Sequence, residues 1–364
     1  MKKSACIYVA GAEGVIGAAL ARTLVRRGYT RVLCAAGGGP DLAEGAAVEK
    51  FFARARPEYV FHTGGRTAGV GGNVRFPADL ALENLLAAAN VLAAAQRSGV
   101  RKLLYLAGSC AYPRDCPQPM REEYLMTGPL EPTSEAYATA KIAGLRLAQA
   151  MRRQHGAPFI AGIAPNTFGP GDDFSPENSH VAAALVRRFH EARLAGRASV
   201  TVWGTGRPRR EFLFADDLAD ACIFVMKHYD GAEPINLGGG TDLAVADLAE
   251  MVRAVVGFRG RIRFDPRRPD GAPAKVLDSS RLRRMGWRPR TPLRRALEVT
   301  YAWYCRAAAD GQAEGGGGAP GSGARIDPRL TAGASHRASR EAPGPTSPRR
   351  KPGAASRRRR RGGA

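Results

Sequence analysis

Cysteine is scarce and scattered in this chain. The six residues Cys6, Cys34, Cys110, Cys116, Cys222 and Cys305 form no Cys-x-x-Cys pair and no metal-ligand spacing. That pattern excludes a disulfide framework and a cysteine-bound metal, and no other metal site is expected. The default compartment is a reducing one, the cytoplasm. Long apolar runs are missing too. No stretch is expected to reach the roughly 20 residues of a membrane span. The first ten residues pass from a short basic start straight into a strand, without the apolar region of a signal peptide. Acidic residues are outnumbered, 33 against 55 Lys and Arg, so the formal charge is +22. Part of the excess lies at the end, where residues 306–364 hold thirteen Lys or Arg and four Asp or Glu. The basic remainder suits anionic ligands such as phosphates. An arginine-rich composition explains it equally well without a ligand.

What is present is an alternation. Strand-like runs at residues 5–10, 31–36, 59–62, 102–106 and 159–164 are separated by helix-like runs at 15–27, 48–56, 77–98 and 137–154. Gly28 and Pro57 stop the first two helices. Strands and helices in this rhythm predict an α/β fold, a Rossmann-type doubly wound parallel sheet. From Asn166 onward the rhythm breaks at Gly169-Pro170-Gly171 and Gly204-Thr205-Gly206, which predicts a smaller C-terminal α/β substrate lobe. The expected division is a dinucleotide-binding domain at 1–165, a mainly substrate-binding lobe at 166–305, and a basic tail at 306–364. Residues 311–364 are rich in Gly, Ala, Pro, Ser and Arg without apolar period, and are expected to be disordered.

Gly11-Ala12-Glu13-Gly14-Val15-Ile16-Gly17 follows the first strand and opens the first helix. Glycines let the backbone turn tightly and approach a pyrophosphate. The helix N-terminus offers free N–H groups to it. A chance match in a glycine-rich chain is the bland reading, and the strand–loop–helix context opposes it. An acidic group after the second strand would favour NAD, and an arginine NADP. Cys34-Ala35-Ala36-Gly37-Gly38 supplies neither. Asp41 and Leu42 follow, where they would border the adenine.

Tyr137 and Lys141 are four apart and share a helix face. A neighbouring ammonium is expected to lower the phenol's pKa and make it a usable proton donor to a carbonyl under reduction. A lone Tyr-x-x-x-Lys carries little weight. Placed about 120 residues after a glycine loop, it matches a short-chain dehydrogenase layout. That layout puts a serine near the end of the fourth strand, here Leu106-Ala107-Gly108-Ser109-Cys110-Ala111-Tyr112-Pro113. Position 108, four before Tyr112, is glycine. Ser109 is one residue late, which on a regular strand turns it to the other face. A bend at the strand end would let it serve.

With these segments and several more, residues 5–304 resemble the GDP-L-fucose synthases, a family of extended short-chain dehydrogenases/reductases. The resemblance is carried by Gly108 to Pro113, Gln118-Pro119-Met120, Leu130-Glu131-Pro132-Thr133 and Tyr137-Ala138-Thr139-Ala140-Lys141-Ile142-Ala143-Gly144. It continues through Pro176-Glu177-Asn178-Ser179-His180-Val181, Arg187-Arg188-Phe189-His190-Glu191-Ala192, Trp203-Gly204-Thr205-Gly206, Arg210-Glu211-Phe212-Leu213 and Arg268-Pro269-Asp270-Gly271. It implies 3,5-epimerisation of GDP-4-keto-6-deoxy-D-mannose followed by nicotinamide-dependent reduction at C4. Cys110 and His180 would invert C3 and C5, since a C4 ketone acidifies the hydrogens on both neighbours. Tyr137, with Lys141, would stabilise O4 and donate the proton, and Ser109 is the candidate for the serine role. The resemblance further implies a dinucleotide site of Gly11 to Gly17, Asp41, Leu42, Ala107, Gly108, Lys141, Ala164, Pro165, Asn166, Thr167 and His180. For the nucleotide-sugar it implies Arg188, Trp203, Arg210 and Asp270, with Lys275 as a further phosphate contact. NADPH as reductant and a homodimer formed by the helices at 77–98 and 137–154 are also implied.

The chain departs from the family pattern at three places. Gly108 replaces the serine, Glu13 stands where an arginine near the NADP 2′-phosphate is usual, and Gly37 aligns with a second such arginine. The last two leave NAD as an alternative cofactor. All three departures motivate a second reading, a catalytically impaired homologue that binds the same ligands, or a related nucleotide-sugar epimerase/reductase. A third reading rests on the five arginines at 357–361, which could contact nucleic acid or an anionic membrane. No interleaved aromatics or folded recognition module support it, and a solvated extension explains the run.

Overall fold

The computed structural model describes residues 1–34, 39–268 and 270–310. The first part runs β1 (Cys6–Ala10), α1 (Val15–Arg26), β2 (Arg31–Cys34), α2 (Gly45–Ala55), β3 (Tyr59–His62), α3 (Val70–Arg75), α4 (Pro77–Arg97), β4 (Lys102–Gly108), α5 (Glu135–His155) and β5 (Phe159–Ala164). The rest runs β6 (Asn166–Phe168), α6 (Val181–Leu194), β7 (Ser199–Trp203), β8 (Arg209–Arg210), β9 (Phe212–Phe214), α7 (Ala215–His228), β10 (Ile235–Asn236), β11 (Leu243–Ala244), α8 (Val245–Val256), β12 (Arg261–Asp265), β13 (Ala274–Lys275), α9 (Ser280–Arg284) and α10 (Leu293–Ala309).

Six strands pair in parallel in the order β10-β5-β4-β3-β1-β2. Strands β1 and β5 are buried along their whole length, so they show no polar alternation. Helices cover both faces, which is why. Along β1, Ile7 and Val9 pack with Leu20 and Leu24 of α1 and Leu218 and Ile223 of α7. Tyr8 points the other way, to Phe51 and Phe52 of α2, Val91 of α4 and Leu145 of α5. A third core joins Phe189 of α6, Leu248 and Val252 of α8 and Leu297 of α10, with Phe174 from the loop before α6. Strand order reverses between β1 and β3, and the crevice outside their carboxyl ends is the ligand position of such sheets.

Several sequence expectations change here. The chain crosses back after residue 165. α7 packs on α1 within the first core, β10 extends the main sheet beside β5, and Leu282 and Trp287 join the same core. A cut at 165 therefore divides one layer, because a two-residue strand carries no readable period. The boundary at 306 falls inside α10, which continues to Ala309; residues 311–364, with the arginine run, lie outside the described residues. β2 ends at Cys34, and the expected Ala35, Ala36 and Gly37 lie outside them too. α3 was not anticipated, since its Val-Gly-Gly-Asn-Val-Arg has poor helix propensity. By length and composition alone, one helix among the described residues would pass for a membrane span. α4 has 21 residues, and an 18-residue window within it has a mean hydropathy of 1.3. Its alanines raise that value, and Leu80, Ala87, Val91 and Leu92 are buried in the core.

Candidate active site

The glycine loop closes on the switch point. Gly11 has φ +86°, and a Cβ there would lie 2.3 Å from Gly64 Cα, just past β3. A Cβ on Gly17 would lie 2.0 Å from Gly11 O. Only hydrogen fits at both places, so the loop lies flat against the sheet edge. Gly14 is the N-cap of α1, and no side chain caps it. The first N–H groups of the helix therefore remain open to an anion. Thr63 locks the loop from below, its hydroxyl donating to Ala10 O at 3.0 Å. Leu42 packs against Gly64, and Asn90 of α4 donates to Leu42 O at 2.9 Å. These contacts shape a cradle that fits a dinucleotide.

Lys141 is buried on α5, and its ammonium donates to Gly64 O at 3.2 Å. It lies over the Tyr137 ring, 5.6 Å from the centroid. Burial pulls Lys141 down to about 8, and Cys110 opposes the shift. The predicted lowering of the Tyr137 phenol does not prevail. Burial pushes it well above 10.0, with Cys110 and Tyr105 adding to the rise. The phenol is held as a proton donor, and the ammonium sits over the ring rather than at the hydroxyl.

β4 delivers the thiol. It runs to Gly108, two residues further than its apolar pattern suggested, and Ser109–Ala111 forms a single 3-10 turn. Ser109 is buried in that turn. A Cβ on Gly108 would lie 3.5 Å from Cys110 Sγ, so position 108 faces the thiol. Burial raises the Cys110 thiol, and Lys275 and Lys141 pull it down. Cys110, Tyr137, Lys141 and Lys275 thus form one electrostatic cluster. Lys275, expected at a phosphate, lies within electrostatic reach of Cys110.

His180 is the N-cap of α6, and its ring caps nothing. The surrounding protein lowers its pKa although solvent reaches it, and Asp173 opposes the shift. Its segment is tied to the loop after β3 by Gly69 N–H donating to Asn178 O at 2.9 Å. Among the described residues no hydrogen bond joins His180 to Cys110, Tyr137 or Lys141.

The nucleotide-sugar candidates lie on the second lobe. Arg188 donates to Thr201 O of β7. Trp203 is 53% exposed at the end of β7, with Arg268 stacked 4.9 Å from its ring centroid. Arg210 on β8 donates to Asp270 O at 3.3 Å. Asp270 is already engaged, accepting from Thr205 N at 2.7 Å and Thr205 Oγ1 at 2.8 Å, which braces the Gly204–Gly206 turn. Asn166 donates to Glu211 O at 3.0 Å, and Thr167 to Pro165 O at 3.1 Å. Ala164 ends β5, and Ala107 lies beside Ile163 on β4. Asp41 is exposed, its Oδ1 accepting from Ala43 N at 2.9 Å.

Three residues were missed. Glu211 is buried and accepts from Gly240 N at 2.9 Å and Leu277 N at 2.8 Å, fastening β8 and β9 to the segment after β13. Asn236 accepts from Tyr112 Oη at 2.7 Å and donates to Met120 O at 2.9 Å, fixing the loop that follows Cys110. Glu131 is buried within electrostatic reach of Arg210 and Lys275. For Glu131 and Glu211 the available signal was a carboxyl inside an otherwise specific motif; Asn236 lay in none.

A doubly wound parallel sheet with a glycine loop at its switch point and a Tyr–Lys pair on α5, its lysine buried, defines a dinucleotide-dependent sugar-nucleotide enzyme. The chain belongs to the NAD dependent epimerase/dehydratase family, whose model matches residues 7–238. Within that class it groups with the GDP-L-fucose synthases, NADPH-dependent epimerase/reductases. It is 49% identical over 303 residues to the probable GDP-L-fucose synthase 1 of Oryza sativa subsp. japonica, covering 83% of this chain and 92% of that one. The crystal structure of a GDP-6-OMe-4-keto-L-xylo-heptose reductase from C. jejuni superimposes with a TM-score of 0.80 at 32% identity, over 84% of this chain and 99% of that one. A GDP-L-fucose synthetase from Naegleria fowleri bound to NADP gives 0.78 at 26% identity, over 86% and 97%.

Proposed function

We propose that the protein converts GDP-4-keto-6-deoxy-D-mannose to GDP-L-fucose by 3,5-epimerisation and reduction at C4, in the cytoplasm. The observation that carries this reading is the coupling of the Cys110 thiol with Tyr137 and Lys141 at the carboxyl edge of the sheet. A ketone at C4 acidifies C3 and C5, so inversion needs one base and one acid on opposite faces. Cys110 and His180 are the candidates for these two roles. Tyr137 hydrogen-bonds O4 and stabilises the enolate. When bound, the nicotinamide supplies hydride to C4. Tyr137 then gives its proton to O4, and the Lys141 ammonium holds the ribose and keeps the phenol oriented. Gly11 to Gly17, Asp41, Leu42, Ala164, Pro165, Asn166 and Thr167 cradle the dinucleotide. Arg188, Trp203, Arg210 and Asp270 meet the GDP-sugar, where a guanidinium fork suits the diphosphate.

A homodimer through α4 and α5 belongs to the same proposal. Leu82, Leu85 and Leu86 line one face of α4 at 59%, 41% and 38% exposure. An apolar stripe of this kind calls for a partner.

The test is Cys110→Ser with the ketosugar in D2O. Loss of deuterium incorporation at C3 and C5, with dinucleotide binding retained, is the expected result. Unchanged incorporation would remove Cys110 from the reaction.

A further inference from the structure

The role given to Lys141 needs its ammonium at one height, between a ribose and the Tyr137 ring. A helix fixes the direction of a side chain, but how deep the helix lies on its sheet is set by what stands between them. Under this turn of α5 stands Tyr105, a buried residue of β4. Its hydroxyl donates to Lys141 O at 3.3 Å. A buried hydroxyl is costly to leave without a partner, so the bond ties strand to helix. Three residues on, Gly144 lets the helix settle onto the same group: a Cβ there would lie 2.3 Å from Tyr105 Oη.

His62 touches the ring from the neighbouring strand. The two residues pair across the β3–β4 ladder, and their rings meet edge to face with centroids 5.3 Å apart. His62 is buried, and neither ring nitrogen has a hydrogen-bond partner among the described residues. Two residues further along the chain, Gly64 O accepts from the Lys141 ammonium at 3.2 Å. Contacts thus run in a closed circuit: from His62 to Tyr105, to the backbone of Lys141, along its side chain to Gly64, and through Thr63 back to His62. The lysine is held at both ends, its backbone from β4 and its ammonium from the end of β3.

We propose that Tyr105 is a positioning residue for the dinucleotide and the proton donor. Through its hydroxyl it sets the height of the α5 turn that carries Lys141, and so the place of the ammonium against the ribose and the Tyr137 ring. The proposal rests on the role of Lys141 in the reductase reading above.

The test is Tyr105→Phe in the full chain, which removes one oxygen and keeps the ring. Lys141 O retains the bond it accepts within the helix, so no buried group is stranded, and Tm should stay within about 3 °C of wild type. The dissociation constant for NADPH, followed by nicotinamide fluorescence without sugar, should rise about fivefold, the worth of one such bond. kcat for reduction should fall by a similar factor, while KM for the ketosugar stays within about twofold. A fall in Tm with NADPH affinity and kcat unchanged would make Tyr105 a purely structural residue and overturn the proposal, as would no change in any of the three. A wild type that binds NADPH but does not reduce the ketosugar overturns the reductase reading, and the affinity comparison still decides the role of Tyr105. Failure of the wild type to bind NADPH overturns both.

Discussion

Gly108→Ser tests the geometry of the site more sharply than any deletion. Position 108 has φ −111° and ψ 163°, extended backbone that serine adopts without strain. Its Cβ would meet only Cys110 Sγ, at 3.5 Å, an ordinary contact. Nothing must move, so the folded state carries no overpacking cost. Restricting the unfolded chain should stabilise the protein by about 0.4–1 kcal/mol. For a chain of this size that is a rise of roughly 1–3 °C in Tm. The catalytic effect is larger. A hydroxyl placed here can hydrogen-bond the developing O4 oxyanion, and one such donor is worth about 2.7–4 kcal/mol, or roughly 100- to 1000-fold in turnover. The assay is dinucleotide oxidation followed by absorbance with the ketosugar, alongside thermal unfolding. Turnover within twofold of wild type would show that Ser109 already supplies the bond, and the reasoning about Gly108 would be refuted. A fall in Tm of several degrees would refute the packing geometry itself.

Three further expectations follow from the described contacts. With Lys141 held near 8, kcat/KM for reduction should fall as pH rises through about 8, and a flat profile to pH 9.5 would contradict the assigned role. The stability linkage has the opposite sense: the folded amine loses its proton near 8 and the unfolded one near 10.5, so this group adds stability as pH climbs between them. Gly17→Ala puts a methyl 2.0 Å from Gly11 O and should abolish measurable dinucleotide binding by calorimetry and cost about 1–3 kcal/mol in denaturant unfolding. Leu82→Glu with Leu85→Glu should give a monomer by light scattering, and an unchanged oligomer would place the contact elsewhere.

The sheet was legible because its period is strong. β3 and β5 fall at the residues their apolar runs marked, bounded by Pro57 and by glycines. The glycine loop was legible because its chemistry is local: Gly11 and Gly17 meet backbone, and only one residue type fits. The Tyr137–Lys141 spacing was legible, but the direction of the phenol's pKa was not, because burial is a property of the whole fold. Lys275 shows the same limit. Its segment is tied to the loop after Cys110 by Met120 N–H donating to Val276 O at 2.8 Å, a contact across more than 150 positions of sequence. Glu211 and Asn236 look like ordinary polar residues in the chain, and only their buried amide partners reveal that they hold the site's loops.

The repeated passage of the chain between sheet and second lobe, out at β6, back at α7 and β10, out again through α8 and back at α9, has a mechanical corollary. A module hung on one linker can swivel freely, but a body stitched along several seams can only flex about the line the seams define. Relative motion of the two parts is thereby more restricted than a single linker would leave it. For the same reason, neither half can be exchanged for a foreign counterpart without cutting through a shared core.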